Sequence, residues 1–117
     1  MTLTQNTTND LIFYAASSLV SPYYLVRMVN QNTSKEFSFI VTDLASCPFV
    51  VAQMTEPGRT GSDDAINGTL KLDTGFYYIY LYDQASSTNL DYTLSNELLA
   101  TEMGYVYSDE DFNRNFL

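Results

Sequence analysis

An all-β sandwich of about seven strands is the fold class this sequence predicts, and three observations predict it. Short runs with β-branched or aromatic alternation recur at roughly ten-residue spacing, each bounded by turn residues. The 117 residues suit one domain that buries its own core without staples. Hydrophobic residues make up 45 % and charged residues 16 %, so the chain is globular and carries less charge than the usual quarter or so of residues.

The strands follow in order. LIFYAAS (11–17) comes after a polar lead. YYLVRMVNQ (23–31) starts beyond Ser21-Pro22, and KEFSFIVTD (35–43) is separated from it by the turn-forming Asn32-Thr33-Ser34. These two are expected to form a hairpin. FVVAQMT (49–55) begins after Cys47-Pro48. The next stretch, EPGRTGSDDAING (56–68), is rich in Gly, Asp and Pro and reads as the longest exposed loop. TLKLD (69–73) is the fifth strand and 76–83 the sixth. After the polar QASSTNLDYTLS (84–95), the seventh runs through NELLATEMGYVYS (96–108), although LSNELLATEM also fits two helical turns. The expected organisation is a domain over 1–108 and an acidic, aromatic arm, DEDFNRNFL, over 109–117.

The sixth strand is the unusual one. GFYYIYLYD places Tyr77, Tyr78, Tyr80 and Tyr82 within six positions. Successive side chains of a strand point to opposite faces, and one apolar face suffices to hold a strand in a core. Here Tyr77, Ile79 and Leu81 make one face, and Phe76, Tyr78, Tyr80 and Tyr82 make the other. The first set is expected in the core. The second has two readings: cover by the protein's own loop 56–68 or its C-terminal arm, or a platform for another molecule. Tyrosine suits a platform because a large rigid apolar body carries a hydroxyl that tolerates water.

Charge and composition exclude several functions. Fourteen acids against Arg27, Lys35, Arg59, Lys71 and Arg114 give a net charge of -9, which repels phosphate backbones and anionic lipid, so neither nucleic acid nor membrane is an expected partner. Cys47 is the only cysteine, so no internal disulfide forms and the fold rests on packing. MTLTQNTTND lacks the basic start and apolar stretch of a signal peptide, and no window reaches the length of a membrane span. The sequons at Asn6, Asn32 and Asn67 then read as products of a Thr- and Asn-rich composition.

Catalytic and metal chemistry find little purchase. With no histidine there is no Ser-His-Asp or Cys-His arrangement, and Cys47 beside Pro48 has no basic neighbour to activate it, so the chain is not expected to be an enzyme. Asp109-x-Asp111-x-Asn113 opens like a calcium loop, but Arg114 stands where the sharp turn needs Gly and no bidentate Glu follows. Asp63 and Asp64, adjacent in a Gly-rich loop, read as solvated rather than metal-binding. No cofactor is expected.

Two resemblances add to this reading. Asp73-x-Gly75-x-Tyr77, leading into the sixth strand, resembles the tyrosine corner of immunoglobulin-like sandwiches, in which the first inward Tyr sends its hydroxyl back to the backbone of the preceding corner. The resemblance implies an immunoglobulin-like sandwich, here without the disulfide and tryptophan of antibody domains: Ile79 stands where the Cys would be. The blocks YYLVRMVNQNTSKEFSFIVTDLAS (23–46), LKLDTGFYYIYLYDQASSTNLD (70–91) and ELLATEMGYVY (97–107) resemble small virion proteins of tailed phages infecting Bacteroidota, crAss-like phages among them. That resemblance implies a structural role as an auxiliary or head-decorating component. Such a component docks on the major capsid protein or other virion subunits and resides in the host cytoplasm before assembly; a tail or neck component is the lesser alternative. Phe76, Tyr78, Tyr80, Tyr82, Phe112 and Phe116 are the expected interface residues. The arm packs on a neighbouring subunit or folds back over its own sheet. A carbohydrate- or receptor-binding module using the same aromatic face, with glycans as partners, is the rival from another class.

Overall fold

A computed structural model of the chain describes residues 1–14, 23–42 and 49–108, and these form an all-β sandwich of seven strands. The strands are β1 (Thr2–Thr4), β2 (Thr7–Tyr14), β3 (Tyr23–Asn30), β4 (Glu36–Thr42), β5 (Phe49–Glu56), β6 (Gly75–Gln84) and β7 (Glu97–Tyr107). One sheet has the order β1-β7-β6-β3-β4; the other is the antiparallel pair β2-β5. If β2, β3, β5, β6 and β7 are taken as strands B, C, E, F and G, the B–E pair faces a G–F–C sheet extended by β4 as C′. This is the immunoglobulin-like arrangement, with no A or D strand laddered to the B–E pair among the described residues.

Alternation builds the core between the two sheets. β2 is buried at every second residue and contributes Leu11 and Phe13; β5 adds Val50, Ala52 and Met54. The large sheet answers with Tyr24, Val26 and Met28 of β3, Phe37, Phe39 and Val41 of β4, and Tyr77, Ile79 and Leu81 of β6. Each fully buried side chain of this size stabilises the fold by about 1.5–3 kcal/mol relative to exposure. The β3–β4 hairpin forms as expected, with Asn30 inside its turn: its side-chain oxygen accepts the Asn32 and Thr33 N–H groups at 2.9 and 3.1 Å.

Two expectations are corrected. The first strand does not begin at 11: Thr2–Thr4 forms β1, parallel to β7, and β2 begins at Thr7. Such a parallel pairing joins the two ends of the sequence, where no hairpin signal exists. Residues 69–73 are not a strand. Leu70 and Leu72 do point inward, but only Thr69 makes isolated bridges, to Thr55 and Asp64. The backbone N–H groups of Lys71 and Leu72 are held by carboxylates, those of Asp63 at 2.8 Å and Glu56 at 2.9 Å, instead of by a neighbouring strand. The stretch 96–108 forms its expected strand, β7, rather than the alternative helical turns, because Ala100, Gly104 and Val106 alternate against β6. Residues 15–17 of the first expected strand, together with Cys47 and the arm 109–117, lie outside the described residues.

Glu56 is the tie that the sequence concealed. The residue is 3 % exposed, and its carboxylate accepts three backbone N–H groups: Asn6 at 3.1 Å, Gly58 at 2.6 Å and Leu72 at 2.9 Å. One side chain thereby holds the β1–β2 turn, the turn after β5 and the approach to β6. Gly104 marks a second close approach. A Cβ there would sit 2.8 Å from Ile79 Cδ1 and 3.1 Å from the Met1 carbonyl oxygen, so any larger residue crowds the seat of β1 on β7.

The corner before β6 closes as its resemblance implies. The Tyr77 hydroxyl donates to the Asp73 carbonyl oxygen at 2.7 Å, and Asn30 Nδ2 reaches the Thr74 carbonyl at 3.5 Å. Gly75 has φ +128°, a conformation that strains any residue with a Cβ.

Two predictions follow from these ties. Glu56→Gln keeps the volume but turns one accepting oxygen into a donor facing an N–H, so it should cost roughly 3 kcal/mol, the scale of a hydrogen bond to a charged group. Denaturant titration checks it, and a loss below about 0.5 kcal/mol would refute the tie. Tyr77→Phe should cost about 0.5–1.5 kcal/mol at neutral pH. Burial, with the Asp73 charge adding to it and hydrogen bonds with Asn30 and Asp73 opposing it, raises the Tyr77 phenol above its ordinary pKa. The folded state therefore prefers the neutral phenol: this stabilisation is complete below about pH 10 and is lost as pH rises through the folded value. Denaturation midpoints should fall more steeply above about pH 10 for the native chain than for Tyr77→Phe. Parallel curves would show that the phenol is not held neutral.

Candidate docking face

The outward side of the large sheet carries the aromatic stripe, and it divides into two halves. Registers place Phe76, Tyr78, Tyr80 and Tyr82 of β6 opposite Tyr105, Met103, Thr101 and Leu98 of β7, with Val29, Arg27 and Leu25 of β3 on the other side. A bulge between Leu81 and Tyr82 leaves Leu99 unpaired, which keeps Leu98 on the outward side. No outward position of β6 or β7 holds a charged side chain.

The half nearer the β6–β7 connection is covered in cis. Tyr82 is only 9 % exposed and joins Leu25 and Ile40 in a small second core, against which Tyr23 and Tyr80 pack. Tyr82 is therefore corrected from an interface residue to a buried one, and Tyr80 is half-buried. The cover is the 85–95 connection, not loop 56–68. Its Tyr92 ring lies 5.6 Å from that of Tyr82 and 4.1 Å from the Arg27 guanidinium, which also lies 5.3 Å from the Tyr80 ring. Arg27 pairs with Glu36. Burial works against its charge, but the bonds to Glu36 and Tyr82 outweigh that and hold its pKa above the ordinary value.

Polar side chains set the shape of this connection. Gln84 is almost fully buried and its amide donates to the Ser86 and Asn89 carbonyls, both at 3.0 Å, while its oxygen accepts from Asn89 Nδ2 at 3.0 Å. Asp91 caps the 3₁₀ turn Tyr92–Leu94, accepting the Thr93 hydroxyl at 2.7 Å and N–H at 3.0 Å. Those Thr93 bonds hold the Asp91 carboxyl below its ordinary pKa. The signal was present in Q-A-S-S-T-N-L-D, a run of residues that bond to nearby backbone, but which face such a loop covers is a tertiary matter.

The other half is open. Phe76 is 54 % exposed and Met103 57 %, with Tyr78 and Tyr107 also exposed. Their rings are mutually supported: Phe76 meets Tyr105 edge-on at 4.5 Å, and Tyr105 meets Tyr107 at 4.4 Å. Among the described residues, eleven large apolar side chains are exposed, and eight lie on β6, β7 or their connection, the others being Ile12, Tyr14 and Ile66. Scattered single residues would need no explanation; a concentration on one hairpin makes a face.

The other sequence candidates have local uses. Asp63 holds the Lys71 N–H, and Asp64 Oδ2 accepts from Asn67 Nδ2 at 2.9 Å, so both acids shape their own loop. Among the described residues no group of three metal-ligating side chains comes together. A cavity of about 560 Å³ is lined by Gln5, Asn6, Glu56, Arg59, Lys71 and neighbours, and the Glu56 carboxylate there is taken up by backbone N–H groups. Phe112 and Phe116 of the expected interface, and the Asp109-x-Asp111-x-Asn113 run, lie outside the described residues. No protein-family model, no curated protein and no solved structure matches this chain.

Proposed function

We propose that this chain is a structural, non-catalytic virion protein, an auxiliary head component that docks on capsid subunits through the outward side of β6 and β7. The observation that carries the docking part is the gathering of exposed apolar side chains on that hairpin, with Phe76, Tyr78 and Met103 at its open half. The absence of charge from its outward positions fits the centre of a protein interface, where charged residues are depleted and Tyr, Phe and Met enriched. The virion part is supported by the resemblance of residues 23–46, 70–91 and 97–107 to small virion proteins of tailed phages. A rigid sandwich with the aromatic rings braced against each other presents such a face at low entropic cost.

The test separates docking from stability. Tyr78→Ser should leave the melting temperature of the isolated protein nearly unchanged. Its incorporation into particles, measured by mass spectrometry of purified virions, should fall about tenfold or more, since interface aromatics often carry about 2 kcal/mol of binding energy. Ile79→Ser should unfold the domain, because a hydroxyl replaces a core side chain. Equal destabilisation by both would make the stripe ordinary core, and binding of the face to immobilised polysaccharides with no loss of incorporation would replace the docking role with sugar binding.

A further inference from the structure

We propose that the first partner of this face is a second copy of the chain, joined across a two-fold axis through the outward side of β6 and β7; the proposal rests on reading that side as a docking face. Three observations carry it.

The first is area. At about 200 Å² for a large side chain, the exposed fractions of the five apolar residues outward on β6 and β7, Phe76, Tyr78, Leu98, Met103 and Tyr107, sum to roughly 500 Å². That matches the apolar part, roughly 57 %, of the roughly 800 Å² per partner of a standard stable interface.

The second is charge. Two copies with net charge -9 repel each other, so they approach only through a surface that carries no carboxylate. The outward positions of β6 and β7 meet that condition: Glu102 sits opposite Ile79, on the core-facing side of β7, and Glu36 is matched by Arg27. A partner recognised by opposite charge would instead call for acids on the face itself.

The third is self-complementarity. The Tyr78, Tyr105 and Tyr107 hydroxyls each donate and accept, so in an isologous contact the same patch satisfies itself.

Sedimentation equilibrium of the full chain tests this from about 1 μM to about 300 μM, at about 0.05 M and about 0.5 M sodium chloride. A monomer–dimer equilibrium is expected, tighter at high salt because screening removes the repulsion of the outlying acids. Met103→Glu should weaken it at least about tenfold. Ile12→Glu, at an equally exposed position on the other sheet, should leave it unchanged. Circular dichroism melts establish that both variants are folded. A monomer at every concentration, an association that weakens with salt, or equal weakening by Met103→Glu and Ile12→Glu would overturn the proposal. The two readings fail separately. A monomer whose Tyr78→Ser variant still drops out of particles leaves docking intact with another partner. A dimer lost on Met103→Glu without any change in incorporation keeps this proposal and removes the virion docking role.

Discussion

The hydroxyl of Tyr77 bonded to the Asp73 carbonyl is the contact on which the rest of β6 depends. It fixes which way the first aromatic of the strand faces, and the two-residue period then fixes all the others. With Tyr77 inward, Ile79 and Leu81 join the core and Phe76, Tyr78, Tyr80 and Tyr82 face out. The corner is held from outside the strand as well: Asn30 ties it to the β3–β4 turn, and Glu56 holds Leu72 just upstream. A slip of one residue would bury the wrong set, so the corner sets both the core and the face.

Four tyrosines in six positions met the second face of a central strand with two different solutions. Near the connection the fold supplies its own cover, with Tyr92 laid over Arg27 and Tyr82, a cation held between rings where a bare aromatic surface would otherwise meet water. Towards Gly75 the same stripe stays open, flanked by Tyr105 and Tyr107. Closing one half rigidly makes the other half a defined shape. The bonds within 84–96 extend that rigidity to the connection itself, because Gln84 and Asp91 leave it few alternatives.

The local parts of this fold were legible in the sequence, and the distant pairings were not. The β3–β4 hairpin, the alternation of β6 and the tyrosine corner are written in neighbouring residues, and each is present. By contrast β1 has three residues and pairs with a strand at the other end of the chain, so neither length nor a turn announces it. TLKLD alternates as a strand should, yet alternation reports burial rather than a ladder, and Leu72 is buried while its N–H bonds to Glu56. Glu56 itself, placed before Pro57-Gly58, reads as a solvated loop acid, and only three converging N–H groups make it structural. On the face, Phe76 and Tyr78 were legible from parity, but the burial of Tyr82 came from Tyr92, ten residues away and on no strand.

The pairing of β1 with β7 has a kinetic consequence. Met1 and Met103 are joined by a hydrogen bond across 102 positions, a contact that closes only after a long search. Until Thr2–Thr4 docks, β7 presents its outer backbone edge beside its own apolar face, the combination that recruits foreign strands. Thr2–Thr4 thus act as a guard on the edge of β7, and the interval before they seat leaves that edge open to aggregation.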